Sequence, residues 1–102
     1  MVEGLESLTQ NGWEKSDDGL AIKKTFIFSN FIEALGWMVK AGVSAEKLNH
    51  HPEWKNVYKT INVLLTTHDK GSITSLDVKL AQEMDSFTNL EVLAKQLQRW
   101  TR

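Results

Sequence analysis

The sequence predicts an α+β fold: a four-stranded antiparallel sheet with helices packed on one face, in the order αββαββα plus a C-terminal helical tail. Three observations carry that expectation. Two β-prone runs are each broken by a short turn signal, at Asp17-Asp18-Gly19 and around Lys59-Thr60. A long stretch of helical apolar periodicity, opened by a capping pattern at Asn30, separates the two pairs. A second capping pattern, Thr74 with Asp77, opens another such stretch after them.

Taken in order, Leu5 and Leu8 stand at helical spacing before Asn11-Gly12, which reads as a short helix ended by a turn. Trp13 to Ser16 and Leu20 to Phe28 form the first hairpin, with Ile22, Thr25, Phe26, Ile27 and Phe28 supplying β-prone side chains. Asn30 is placed to cap an orphan amide and Glu33 to reach back, so a helix of about four turns begins there. Its apolar positions include Phe31, Leu35, Met38, Val39 and Gly42, widened by Ile32, Gly36 and Val43. An apolar surface that broad implies burial on more than one side, and a subunit interface would supply the second.

Trp54 to Tyr58 and Ile61 to Thr67 form the second hairpin. A two-residue loop at Lys59-Thr60 would set Tyr58 against Ile61, Asn56 against Val63 and Trp54 against Leu65. The following helix should run to about Asp85, through Leu76, Val78, Leu80, Ala81 and Met84. Thr88 and Glu91 repeat the capping pattern ahead of Leu90, Leu93, Ala94, Leu97 and Trp100, predicting a further helix or a bent continuation. Lys95, Arg99 and Arg102 read as its solvated face.

Bulk properties narrow the function. At 102 residues the chain suits one domain, 1–102. A net charge of −1 leaves no basic footprint, so direct nucleic-acid binding is not expected. Zero cysteines exclude disulfides, thiolate metal sites and cysteine nucleophiles. No run reaches membrane-spanning length and the N-terminus lacks a signal pattern, so a cytoplasmic location without membrane attachment is expected.

All three histidines fall between Asn49 and Asp69. Pro52 biases His51 toward an extended backbone, where adjacent side chains diverge, so His50 and His51 need not share a job. The hairpin register sets His51 across from His68. Two imidazoles meeting at one hairpin end suit proton transfer near neutrality, since free histidine titrates at about 6.5. Polar residues at strand ends with no common purpose are the plain alternative. A three-histidine zinc site is the rival chemistry, but adjacent extended histidines do not converge and no i, i+4 pair exists. No metal and no cofactor are expected.

Glu46, His50-His51-Pro52, Tyr58, His68 and Asp77 match in order and spacing the signature of the pterin-4a-carbinolamine dehydratases. Glu46 to Trp54 and Asn56-Val57-Tyr58 resemble that family's central segment almost word for word, and Thr67-His68 and Leu80-Ala81 agree. The resemblance runs from Trp13 to about Met84. Asn49 departs from it, standing where many relatives carry Asp.

The resemblance implies an α+β fold, a homodimer or homotetramer, and a pterin substrate. It implies dehydration of a 4a-hydroxytetrahydropterin to a quinonoid dihydropterin, in tetrahydropterin recycling. It further implies His50, His51 and His68 as the catalytic set, with His51 as acid to the leaving hydroxyl and His50 and His68 supplying base and orientation. Glu46, Asn49, Pro52, Trp54 and Asp77 are the implied substrate-binding residues, Asp77 at the rim of the site. Trp54 and Tyr58 could stack on a flat ring, although the strand pattern makes them core residues first. Trp37 reads as core or interface. The other function the resemblance allows is a non-catalytic dimerisation or interaction module acting as a transcriptional coactivator, because animal relatives dimerise with a homeodomain transcription factor through the long helix.

Overall fold

Apolar side chains at alternate strand positions need a covering layer, and the helices of this chain supply it. The computed structural model describes residues 2–100, and the side chains of residues 2–88. Its elements are α1 (Leu5–Gln10), β1 (Glu14–Lys15), β2 (Ile22–Ile27), α2 (Phe31–Leu48), β3 (Glu53–Val57), β4 (Thr60–Leu65), one 3-10 turn (His68–Lys70) and α3 (Ser75–Trp100). The four strands form one antiparallel sheet in the order β1-β2-β4-β3. This is the α+β arrangement expected.

Ile22 and Phe26 of β2 and Ile61, Val63 and Leu65 of β4 are buried, while Lys23 and Thr25 of β2 and Asn62 of β4 between them face outward. Against this face α2 sets Ala34, Trp37, Ala41 and Ala45, and α3 sets Val78, Leu80, Ala81 and Met84. Three small alanines let α2 approach closely around one large ring. Trp37 fills the centre, 4.4 Å from the ring of Phe26 and 6.2 Å from that of Trp54, and its Nε1 donates to the Met84 carbonyl at 3.0 Å. Trp37 is thus a core residue. Trp54 is half-buried against the same cluster.

Asn30 caps α2 as expected, accepting from the Glu33 amide at 2.8 Å, while Glu33 accepts from the Ser29 amide at 3.3 Å. The helix is longer than expected, 18 residues. It ends where Asn49 enters the left-handed region (φ 50). The Asn49 amide then donates to the Glu46 carbonyl and the His50 amide to that of Ala45, a Schellman closure. Asparagine tolerates that backbone better than most side chains.

The second hairpin corrects the expected register. Val57 pairs with Thr60, Asn56 with Ile61 and Trp54 with Val63, so Tyr58-Lys59 is the loop. Tyr58 takes a positive φ of 54, and Asn56 Nδ2 staples the turn by donating to the Tyr58 and Thr60 carbonyls. Pairing moves by two positions, which keeps Trp54 on the covered face. Tyr58 leaves the strand and is 62% exposed, so it is not a core residue.

Of the two alternatives at Thr88, a further helix or a continuation, the chain takes the continuation: the Thr88 hydroxyl donates to the Asp85 carbonyl three residues back, and α3 runs on. The side chains of Leu90, Glu91, Leu93, Ala94, Lys95, Leu97, Arg99, Trp100 and Arg102 lie outside those described. Asp85 accepts from Trp13 Nε1 at 3.0 Å and from Lys24 Nζ at 2.7 Å, tying the first hairpin to α3. Among the described residues no helix is long and apolar enough to cross a membrane.

Candidate functional site

The end of α2, the start of β3 and the loop after β4 meet at one corner of the sheet. Because the chain turns sharply at Asn49 and then runs extended into Pro52, His50 and His51 leave in different directions. His50 turns inward and is 9% exposed, whereas the His51 side chain is 59% exposed. The 3-10 turn brings His68 to the same corner. All three imidazoles, with Asn49, Thr67 and Leu76, line one cleft of about 260 Å³.

Each imidazole has its own carboxylate. His50 Nε2 lies 2.5 Å from Asp77 Oδ1, His51 Nε2 lies 2.8 Å from Glu46 Oε1, and His68 Nε2 lies 3.6 Å from Glu53 Oε1. An ionised carboxylate only accepts, so the ring N–H donates in the two hydrogen-bonded pairs and Nδ1 becomes the other, exchangeable nitrogen. Glu46 reaches His51 because the last turn of α2 sits directly before it.

Asp77 is fully buried beneath the cleft, not at its rim. Its Oδ2 accepts from the Thr67 hydroxyl at 2.8 Å and from the Thr74 amide at 2.9 Å. The Thr67 O–H is committed as donor to Asp77, so the Thr74 hydroxyl donates across the 2.6 Å contact between the two threonines. One carboxylate therefore closes the capping box of α3, holds the loop that carries His68, and fixes the ring of His50.

Several expectations change here. His51 and His68 are not cross-strand partners, since the β3–β4 ladder stops at the Glu53–Leu64 pair and His68 lies in the 3-10 turn. Pro52 and Trp54 fall outside the residues that line the cleft, and Trp54 packs on Trp37 instead. Asn49 lines it and also supplies the left-handed hinge. Thr67 and Glu53 fall within the segments that resemble the family, but the sequence assigned neither a role in the site. Thr67 joins Asp77 only through folding, so its role has no local pattern; Glu53 follows His51 by two in an extended run, a hint that both belong to one corner. Among the described residues no three His, Cys, Asp or Glu side chains are disposed to hold a metal ion.

Residues 2–87 match the family model described as pterin 4 alpha carbinolamine dehydratase. This chain belongs to the pterin-4a-carbinolamine dehydratase family. A relative from Roseobacter denitrificans, provisionally named a pterin-4-alpha-carbinolamine dehydratase, is 60% identical over 82 residues, which cover 80% of this chain and 84% of that protein. One of the same provisional name from Jannaschia sp. is 53% identical over 84 residues, covering 82% and 86%. A crystal structure of a transcriptional coactivator/pterin dehydratase from Brucella melitensis superposes with a TM-score of 0.77 at 42% identity, covering 84% of this chain and 95% of that one. Of the positions matched to that signature, Glu46, His50, His51, His68 and Asp77 meet at this corner, whereas Tyr58 lies in the β3–β4 loop.

Proposed function

We propose that the chain dehydrates a 4a-hydroxytetrahydropterin to a quinonoid dihydropterin by histidine acid/base catalysis, as a hydro-lyase in tetrahydropterin recycling. The observation that carries the reading is the convergence of His50, His51 and His68 on one cleft, each beside its own carboxylate.

The elimination breaks the C4a–O bond, delivers a proton to the departing hydroxyl so that water leaves, removes the proton from N5, and forms the C4a=N5 bond. His51 is the acid: it is open to solvent, and Glu46 on Nε2 leaves Nδ1 to give up a proton. His68, also exposed, takes the N5 proton. His50, clamped by Asp77, orients the ring from beneath. One proton leaves His51 and one arrives at His68, and solvent resets both. Acid and base each contribute on the order of 10²–10⁴ in rate. Glu46 and Asn49 are assigned to the amino and amide edge of the pterin, Asn49 from the lining of the cleft. The test is carbinolamine dehydration by the purified protein in the presence of a chelator. Turnover at or near the uncatalysed rate would sink the proposal.

A second reading rests on α2. Phe31, Leu35, Val39 and Val43 recur every four residues with Ile32 beside them, and all five are exposed, Ile32 by 79% and Val39 by 61%. A stripe this continuous on a helix marks an association surface. We assign it to a further copy of this chain, giving a dimer or tetramer. The coactivator function named for the Brucella melitensis protein would use the same stripe for another partner.

A further inference from the structure

The histidine–carboxylate pairs of the cleft are not alike. His50 and His51 are hydrogen-bonded to their acids, at 2.5 Å and 2.8 Å. His68 Nε2 stands 3.6 Å from Glu53 Oε1. That is too far for a hydrogen bond from a neutral ring, yet close enough for an ion pair once the ring is charged. His68 is also the imidazole that gains charge. On the reading above, the N5 proton passes to His68, the electron pair of the N–H bond forms C4a=N5, and the ring becomes an imidazolium. With Nε2 turned toward Glu53, the proton arrives at Nδ1.

Glu53 opens β3 and pairs with Leu64 of β4, while His68 sits in the 3-10 turn just past that strand. The carboxylate lies outside the residues that line the cleft, so it acts on the ring and not on the substrate. A bond already made in the resting protein steadies ground state and transition state alike. A contact that strengthens as charge develops lowers the barrier.

We propose that Glu53 is a positioning residue for the base, turning Nδ1 of His68 toward the substrate and closing on Nε2 as the N5 proton arrives. The inference rests on the dehydratase reading.

Glu53→Gln keeps the shape of the side chain and removes its charge. The control is Glu14→Gln. Glu14, Lys23, Leu64 and Glu53 stand in one row across the sheet, so the control removes the same charge from the far end of that row, about 14 Å away. At about 0.1 M salt that exceeds the screening length of about 10 Å. Glu53→Gln lowers kcat about three- to fivefold with KM unchanged, the scale of a solvent-exposed ion pair, and Glu14→Gln leaves both at the wild-type values. Glu53→Asp, with the charge on a shorter arm, recovers part of the loss. Salt at about 1 M narrows the gap between wild type and Glu53→Gln. Independently of turnover, crystal structures of the wild type at about pH 5 and about pH 8 show Nε2 and Oε1 closing to hydrogen-bond length in acid alone.

Dehydration with kcat unmoved in Glu53→Gln, or a loss carried by KM, overturns the positioning role and leaves the activity standing. Failure of the pair to close in acid also overturns the role. Closure in a protein that dehydrates no carbinolamine overturns the reaction and the role together, leaving an ion pair without catalytic purpose.

Discussion

His50 and Asp77 are 27 positions apart in the chain and meet at 2.5 Å between Nε2 and Oδ1, with Asp77 wholly buried. The same carboxylate satisfies Thr67 and Thr74, so its removal strands three donors at once. Asp77→Ala is expected to lower unfolding free energy by about 3 kcal/mol or more, read as a drop in the urea midpoint. Asp77→Asn, which keeps one acceptor, should cost less.

Adjacent histidines should separate stability from turnover. His51→Ala removes an exposed contact and should leave stability within about 0.5 kcal/mol of wild type while cutting kcat on the order of 10²-fold or more. His50→Ala should lower both, because it leaves Asp77 with an unmatched buried charge. Unchanged turnover in His51→Ala would remove the acid assignment.

Asp85→Ala probes the tie between the first hairpin and α3. Trp13 Nε1 and Lys24 Nζ both lose their acceptor, and Lys24, with Nζ 4.8 Å from the ring centre of Phe26, is left beside aromatic faces. A destabilisation of about 2–4 kcal/mol is expected in chemical denaturation. Lys24→Met, which keeps the apolar stem, should cost less.

Val39→Asp places a charge in the exposed stripe of α2. Sedimentation should show a smaller species than wild type, with the far-ultraviolet helix signal retained. An unchanged molecular mass would remove α2 as the association surface.

Asp18 titrates below the usual carboxylate range because the Ser16 hydroxyl, and after it the Leu20 amide, bond its charged form. A carboxyl depressed by folding adds stability above its unfolded value of about 4 and loses it as pH falls through the lower folded value. Wild type and Asp18→Asn should therefore differ most at neutral pH and converge in acid, measured as thermal midpoints from pH 7 down to pH 2.

Much of the fold was legible because it rests on short-range patterns. Asn30 with Glu33 and Thr74 with Asp77 each act within one helical turn, and both caps form. The opposite fates of His50 and His51 follow from Pro52 and the period of an extended chain. The β3–β4 register was not legible, since the left-handed backbone of Tyr58 and the staple from Asn56 decide it and neither is a common two-residue loop signal. Thr88 left two outcomes open, because a hydroxyl that caps a helix can equally bond the carbonyl three residues back, as it does here. Asp77 had a local role visible in the sequence, and its bonds to His50 and Thr67 arise only when distant segments pack.

The node at Asp77 has a kinetic corollary. A loop, a helix start and an imidazole that share one acceptor cannot loosen one at a time without stranding the rest, so they should open together. Amide exchange at Thr74 would then follow the release of the His50 ring. Breathing of this corner would be all or none, and the spacing between His50 and His68 would hold constant until the whole unit lets go.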